Sequence, residues 1–133
     1  MQDFLIRQVP EAIRRNAGLL NPPPEMLAGA GPRHESILYA FYFSGCPWQE
    51  GQRILKIAAT RARYLYLADF CIAERNLELA PELVARMFFG RRRQFWIRGG
   101  LGNFVLESGL RLLERRPIMS RMAQLMRLGP FCR

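Results

Sequence analysis

Apolar side chains recur at helical spacing along residues 48–75. Ile54, Ile57, Ala58, Leu65, Ala68 and Ile72 stand three, four or seven positions apart. Pro47 suits the first turn of such a helix, and Asn76 stands where a cap would. Arg61 interrupts the stripe, but its long stem can carry the charge out to water. The pattern predicts one long helix here and shorter ones around it. Residues 10–20, PEAIRRNAGLL, open on Pro10 and close near Gly18. Residues 33–43 are apolar almost all round, through Ile37, Leu38, Ala40, Phe41 and Phe43, which predicts a central helix ending near Gly45. Residues 79–90 open with Pro81, place Leu83, Val84, Met87 and Phe88 on one face, and close on Gly90. Residues 106–115 carry Leu110 and Leu113 and stop before Pro117. Residues 118–128 carry Met119, Met122, Leu125 and Met126 and end at Gly129-Pro130.

Two stretches break the helical pattern. NPPPEMLAGAGPR holds Pro22, Pro23 and Pro24 in sequence and predicts an extended connector. FGRRRQFWIRGGLGNF, residues 89–104, has two readings. QFWI and NFVLE on either side of Gly99, Gly100 and Gly102 suit a short β-hairpin over 94–106, which is favoured. The other reading is a helix ending at Gly90 and restarting at Leu106. The expected architecture is mainly α: one domain over 1–133, five or six helices, and at most that one hairpin.

At 133 residues, 50% hydrophobic and 23% charged, the chain has the length and composition of a globular protein with a real core. No apolar run is long enough to span a bilayer, and the N-terminus lacks the order of a secretion signal, so a cytoplasmic location is expected. Cys46, Cys71 and Cys132 are odd in number, far apart and outside any C-x-x-C pair, and read as free thiols. His34 is the only histidine, so a paired-His metal site is excluded. RGGLGN lacks the Lys and Ser/Thr of a P-loop and the flanks of a dinucleotide fingerprint. Asp69 reads as a surface partner of Arg61, Arg63 or Arg75. With no acid–base pair in view, the chain is expected to be no enzyme, to take no cofactor or metal, and to have no small-molecule substrate.

Charge changes the picture. Residues 1–85 balance nine basic groups with nine acidic ones, whereas residues 86–133 hold eleven Arg against Glu107 and Glu114. The whole excess of +9 sits in the last third. Such asymmetry points to an acidic partner: nucleic acid, an anionic membrane surface or an acidic protein. Clustered guanidinium groups release counterions from phosphates and bind without reading sequence. Arg91, Arg92, Arg93 and Arg98 are the expected main DNA contacts, with Arg111, Arg115 and Arg116 in support. Phe95 and Trp96 among them either stack on unpaired bases or belong to the core. The methionine-rich stretch at 118–128 either packs inward or offers a docking surface.

Four pieces resemble FlhC, a subunit family of the flagellar transcriptional master regulator. They are AIRRNAGLLNPPPEML, HESILYAFYF followed by RILKIAATRARYLYLADFC, LVARMFF, and RGGLGNFV, in the same order over roughly residues 11–105. That family carries a cysteine-ligated zinc site around its glycine turn. Gly99, Gly100, Leu101 and Gly102 have no cysteine among them, so zinc is not carried over. The resemblance implies a DNA-binding transcription regulator that works with a FlhD-like partner subunit. The expected function is therefore DNA binding in transcriptional control through the Arg-rich third. The alternative is a protein–protein adaptor or chaperone-like component of a larger assembly, motivated by Phe41, Tyr42, Phe43, Phe88, Phe89 and Trp96 in so small a chain.

Overall fold

The computed structural model describes residues 2–28, 33–71 and 90–131. The elements run α1 (Gln2–Ile6), α2 (Glu11–Asn16), β1 (Leu19–Leu20), α3 (Pro24–Leu27), β2 (His34–Ala40), α4 (Trp48–Arg61), β3 (Ala62–Phe70), α5 (Arg91–Ile97), α6 (Gly100–Ser108), β4 (Leu112–Ile118) and β5 (Ala123–Leu128). Short 3-10 turns occupy Phe43–Gly45 and Met119–Arg121. The strands form one five-stranded sheet in the order β1-β2-β3-β5-β4. β1, β2 and β3 are parallel, with Leu19 beside Ile37 and Leu38 beside Tyr66. β5 runs antiparallel to β3, and β4 antiparallel to β5. Mixed α/β architecture thus replaces the mainly α expectation.

The physical reason lies in β2. A strand covered by helices on both faces needs no alternation, so it reads as a continuous apolar run. Ile37 to Ala40 are all fully buried. Over so short a run, the same string satisfies a buried helix equally well. Residues 33–43 are central, as expected, but as strand rather than helix. Parallel partners need a crossover, and α4 supplies it between β2 and β3. The long helix predicted over 48–75 is therefore two elements. α4 ends at Arg61, and the chain turns extended at Ala62 with φ −140° and ψ 152°. Neither Gly nor Pro marks that junction. Tyr64, Leu65, Tyr66 and Leu67 suit a pleated, half-covered surface and pair with β2.

The remaining expectations divide. α2 lies inside the predicted 10–20 helix, with Pro10 at its N-cap. The proline run is not wholly extended, because Pro24 opens the short α3. The 94–106 hairpin is absent: that stretch is the end of α5, a turn and α6. Of residues 106–115, the first three close α6 and the last four open β4, while residues 118–128 are mostly β5 rather than helix. Pro117 sits in β4, an edge strand, where a missing N–H is tolerated. The helix predicted over 79–90 and Cys132 lie outside the described residues.

Two apolar layers sandwich the sheet. Ile37, Tyr39, Leu65, Leu67, Met126 and Leu128 face α4, α5 and α6, where Trp48, Phe95 and Phe104 pack against them. Leu38, Ala40, Ala68, Phe70 and Leu125 face the other way, against Leu5 and Val9. The period of two along each strand sorts these sets. Among the described residues no helix is long and apolar enough to cross a membrane.

Candidate functional site

In an open α/β sheet, ligands bind outside the carboxyl ends of the parallel strands. Here that edge is built by the turn after β2, the end of β3 and the start of α5. Phe41 follows β2 directly with φ +55°, a region that a bulky side chain rarely adopts. Its N–H donates to the Ala68 carbonyl at 2.7 Å, and its ring tilts against Phe70 with centroids 5.1 Å apart. These contacts hold the strained residue in place and swing the chain into the turn Phe43–Gly45.

Asp69 lies beneath that turn. It is 1% exposed, not the surface charge partner expected from sequence. The Ser44 N–H donates to its Oδ2 at 3.0 Å, and the Phe70 N–H donates to its Oδ1 at 2.9 Å. Burial pushes its carboxyl up to about 6, against the opposing pull of these hydrogen bonds and of Arg92. Arg92 reaches in from α5 and donates from Nη1 to the Ser44 hydroxyl at 2.6 Å and to the Phe41 carbonyl at 3.3 Å. One buried carboxylate, one hydroxyl and one guanidinium thus fix the turn to both β3 and α5.

Beside this network lies a cleft of about 140 Å³ lined by Cys46, Pro47, Trp48, Arg91, Gln94, Phe95 and Arg98. Positions 91, 94, 95 and 98 are spaced i, i+3, i+4 and i+7, which puts them on one face once α5 forms. Phe95 is buried against Trp48, with ring centroids 5.5 Å apart, and forms the apolar wall. The Arg98 guanidinium lies over the Trp48 ring, 4.4 Å from its centroid. The Trp48 indole N–H donates to Glu107 Oε2, which fixes the ring plane. Burial raises the pKa of the Cys46 thiol and keeps it in its neutral form.

The seven arginines expected to share one nucleic-acid surface stand at different places in the structure. Arg91 and Arg98 line the cleft, while Arg92 is turned inward onto Ser44. Arg93 is exposed. Arg111, Arg115 and Arg116 stand at the β4 end of the sheet, and Arg115 lines a separate apolar groove with Leu106 and Leu112. Trp96 and Phe95 belong to the two core layers, the core reading weighed against base stacking. Sequence reasoning missed Asp69, Ser44 and Trp48. The signal for the first two was the end of a strand: β3 was hidden inside the supposed 48–75 helix, and β2, before Ser44, inside the supposed 33–43 helix. Among the described residues no group of three or more His, Cys, Asp or Glu is placed to hold a metal.

The fold is similar to that of an O-methyltransferase family 2 protein from Planctomyces limnophilus, solved in complex with apigenin. The TM-score is 0.53 at 16% identity, over 78% of this chain and 33% of that one. A second likeness is to magnesium protoporphyrin IX methyltransferase from Synechocystis, solved with bound SAH, with a TM-score of 0.49 at 16% identity, over 77% of this chain and 47% of that one. The chain therefore spans about a third and about half of their lengths. No family model matches the sequence, and no curated protein matches it either. These findings correct the reading from sequence. The mixed α/β fold shared with the solved O-methyltransferase replaces the FlhC-like helical reading, and the DNA-binding, FlhD-partner and adaptor expectations that rested on that reading are withdrawn with it. The expectations of no enzyme and no small-molecule substrate fall too.

Proposed function

We propose that this chain works in methyl transfer to a small organic acceptor, which it binds at the carboxyl edge of β2 and β3. The observation that carries the reading is the likeness in fold to the O-methyltransferase over 78% of this chain. The position of the cleft agrees with it, because the turn after β2 and the face of α5 meet at the edge where α/β sheets take their ligands. The neighbour's apigenin, a hydroxylated aromatic, indicates the class of acceptor.

The chain's own residues would bind and orient such a molecule. Trp48 and Phe95 offer an aromatic wall, and Arg91, Gln94 and Arg98 offer donors around it. Asp69 and Arg92 touch no ligand in this scheme; they hold the turn that carries Cys46 and Trp48. A nucleoside methyl donor such as S-adenosylmethionine needs free polar side chains at the strand ends to grip its sugar hydroxyls. The Asn21 side chain is engaged with both the N–H and the carbonyl of Ala40, and Asp69 is sealed beneath Ser44. Among the described residues, neither Asn21 nor Asp69 is therefore free to grip the sugar of such a donor.

The test is incubation with apigenin and S-adenosylmethionine carrying a labelled methyl group, alongside a titration of tryptophan fluorescence. Saturable quenching by the acceptor, or label recovered on it, supports the reading. A chain that neither binds the hydroxylated aromatic nor passes label to it contradicts the reading.

A further inference from the structure

We infer that the cleft between α5 and the start of α4 is a subsite for a carboxylate carried on an aromatic ring, so that the acceptor is an aromatic acid. This rests on the acceptor-binding reading and names its substrate class.

Four observations carry it. The cleft's volume, about 140 Å³, suits one six-membered ring; a cavity of about 150 Å³ accommodates benzene. Its wall is aromatic and apolar, from Trp48, Phe95 and Pro47. Its two charged lining groups are both guanidinium groups, Arg91 and Arg98, set two helical turns apart on the same side of α5. Neither takes part in the ion pairs seen among the described residues, Arg15–Glu11, Arg53–Glu50 and Arg63–Glu35.

Arg98 is the better prepared of the two. Its flat face rests on the Trp48 ring, which leaves its N–H edge for a ligand. A planar fork held in this way loses little freedom when a carboxylate docks bidentately. Across the seven residues the helix rises about 10 Å, a span that two arginine side chains can close around one anion. Gln94 stands between them and adds an amide donor for a ring substituent. Glu107, on α6, is already engaged, since it accepts from the Trp48 indole.

The experiment compares benzoate with its neutral isostere benzamide, read by NMR at the Trp48 indole N–H and the Arg98 Nε–H. Benzoate shifts both resonances saturably, and benzamide binds at least about tenfold more weakly, the factor expected for losing one charge-assisted hydrogen bond. Arg98→Gln lowers benzoate affinity by a similar factor and abolishes the preference over benzamide; Arg98→Lys keeps part of it. Arg91→Gln, at an exposed position, repeats the loss in a protein whose circular dichroism is unchanged. Equal binding of benzoate and benzamide overturns the inference, as does benzoate binding insensitive to both glutamine variants. Failure of the methyl-transfer reading looks different: benzoate binds as described, but no aromatic acid is ever methylated. Conversely, methylation of an aromatic acid at the same rate in wild type and Arg98→Gln leaves that reading standing and removes this subsite.

Discussion

The Arg92 guanidinium donates to the Ser44 hydroxyl at 2.6 Å and so ties α5 to the turn that ends β2. A residue in the middle of an arginine triplet is thereby a structural tie, while its neighbour Arg93 is exposed. Arg92→Ala removes donors from Ser44 and from the Phe41 carbonyl, and should cost about 1–3 kcal/mol. Arg93→Ala should stay within about 0.5 kcal/mol. Urea unfolding of the two variants checks the contrast; equal effects would contradict the inward placement.

Asp69 sets a pH dependence. Its folded carboxyl is raised to about 6 from an ordinary value of 3.8, so the folded state holds its proton more tightly than the unfolded state does. Its protonation favours the fold fully below 3.8, and that advantage is lost as pH rises to about 6. The loss is on the order of 2–3 kcal/mol. Asp69→Asn, which cannot ionise, should flatten the fall of unfolding free energy across this window. The difference between wild type and variant, measured by denaturant titration between pH 4 and about 7, is the readout.

Gly100 allows α6 to approach β3. Its φ is +65°, and a Cβ there would lie 2.6 Å from the Phe70 carbonyl oxygen and 2.7 Å from the Cys71 Cα. Both obstacles are backbone and cannot step aside. Gly100→Ala should therefore destabilise by about 3 kcal/mol or more. Gly102→Ala, with nothing within 4 Å, should be neutral or stabilising by up to about 1 kcal/mol, since Ala favours the helix. Thermal unfolding of the pair separates the two.

Phe104 joins the cleft to the core. Its ring lies 5.1 Å from Trp48, 5.5 Å from Phe95 and 5.0 Å from Phe43, and it is fully buried. Phe104→Ala should cost about 3–5 kcal/mol and loosen the wall of the cleft. Phe104→Leu should retain most of the stability, about 1–2 kcal/mol below wild type, with weaker aromatic-acid binding. Denaturant midpoints and benzoate titrations of both variants test this.

How far the fold could be read from residues depended on what each pattern leaves ambiguous. α4 was legible because amphipathic spacing at 3.6 residues has few rivals, and α2 because Pro10 marks its start. β2 was not, because ILYA buried on both faces carries no period at all. The junction at Ala62 was not, because a helix can pass directly into a strand with no Gly or Pro, and only pairing with β2 decides where. The glycines at 99, 100 and 102 suggested a hairpin. Gly99 and Gly100 instead take φ of +113° and +65° to reverse the chain between two helices. For the site, Arg91 and Arg98 stood out by charge, but their role depended on the helix that puts them on one side with Gln94 and Phe95. Asp69 was misread because burial of a carboxylate depends on who covers it, here Ser44 and Phe70.

The central claim is that a small aromatic molecule, rather than a polyanion, meets this chain at the strand ends. The most direct measurement is a map of backbone and side-chain NMR shifts upon titration with a hydroxylated aromatic acid. The account predicts saturable changes confined to residues 42–48 and 91–98, with Arg111, Arg115 and Arg116 unmoved. Changes centred on those three arginines, or no saturable change anywhere, would contradict it.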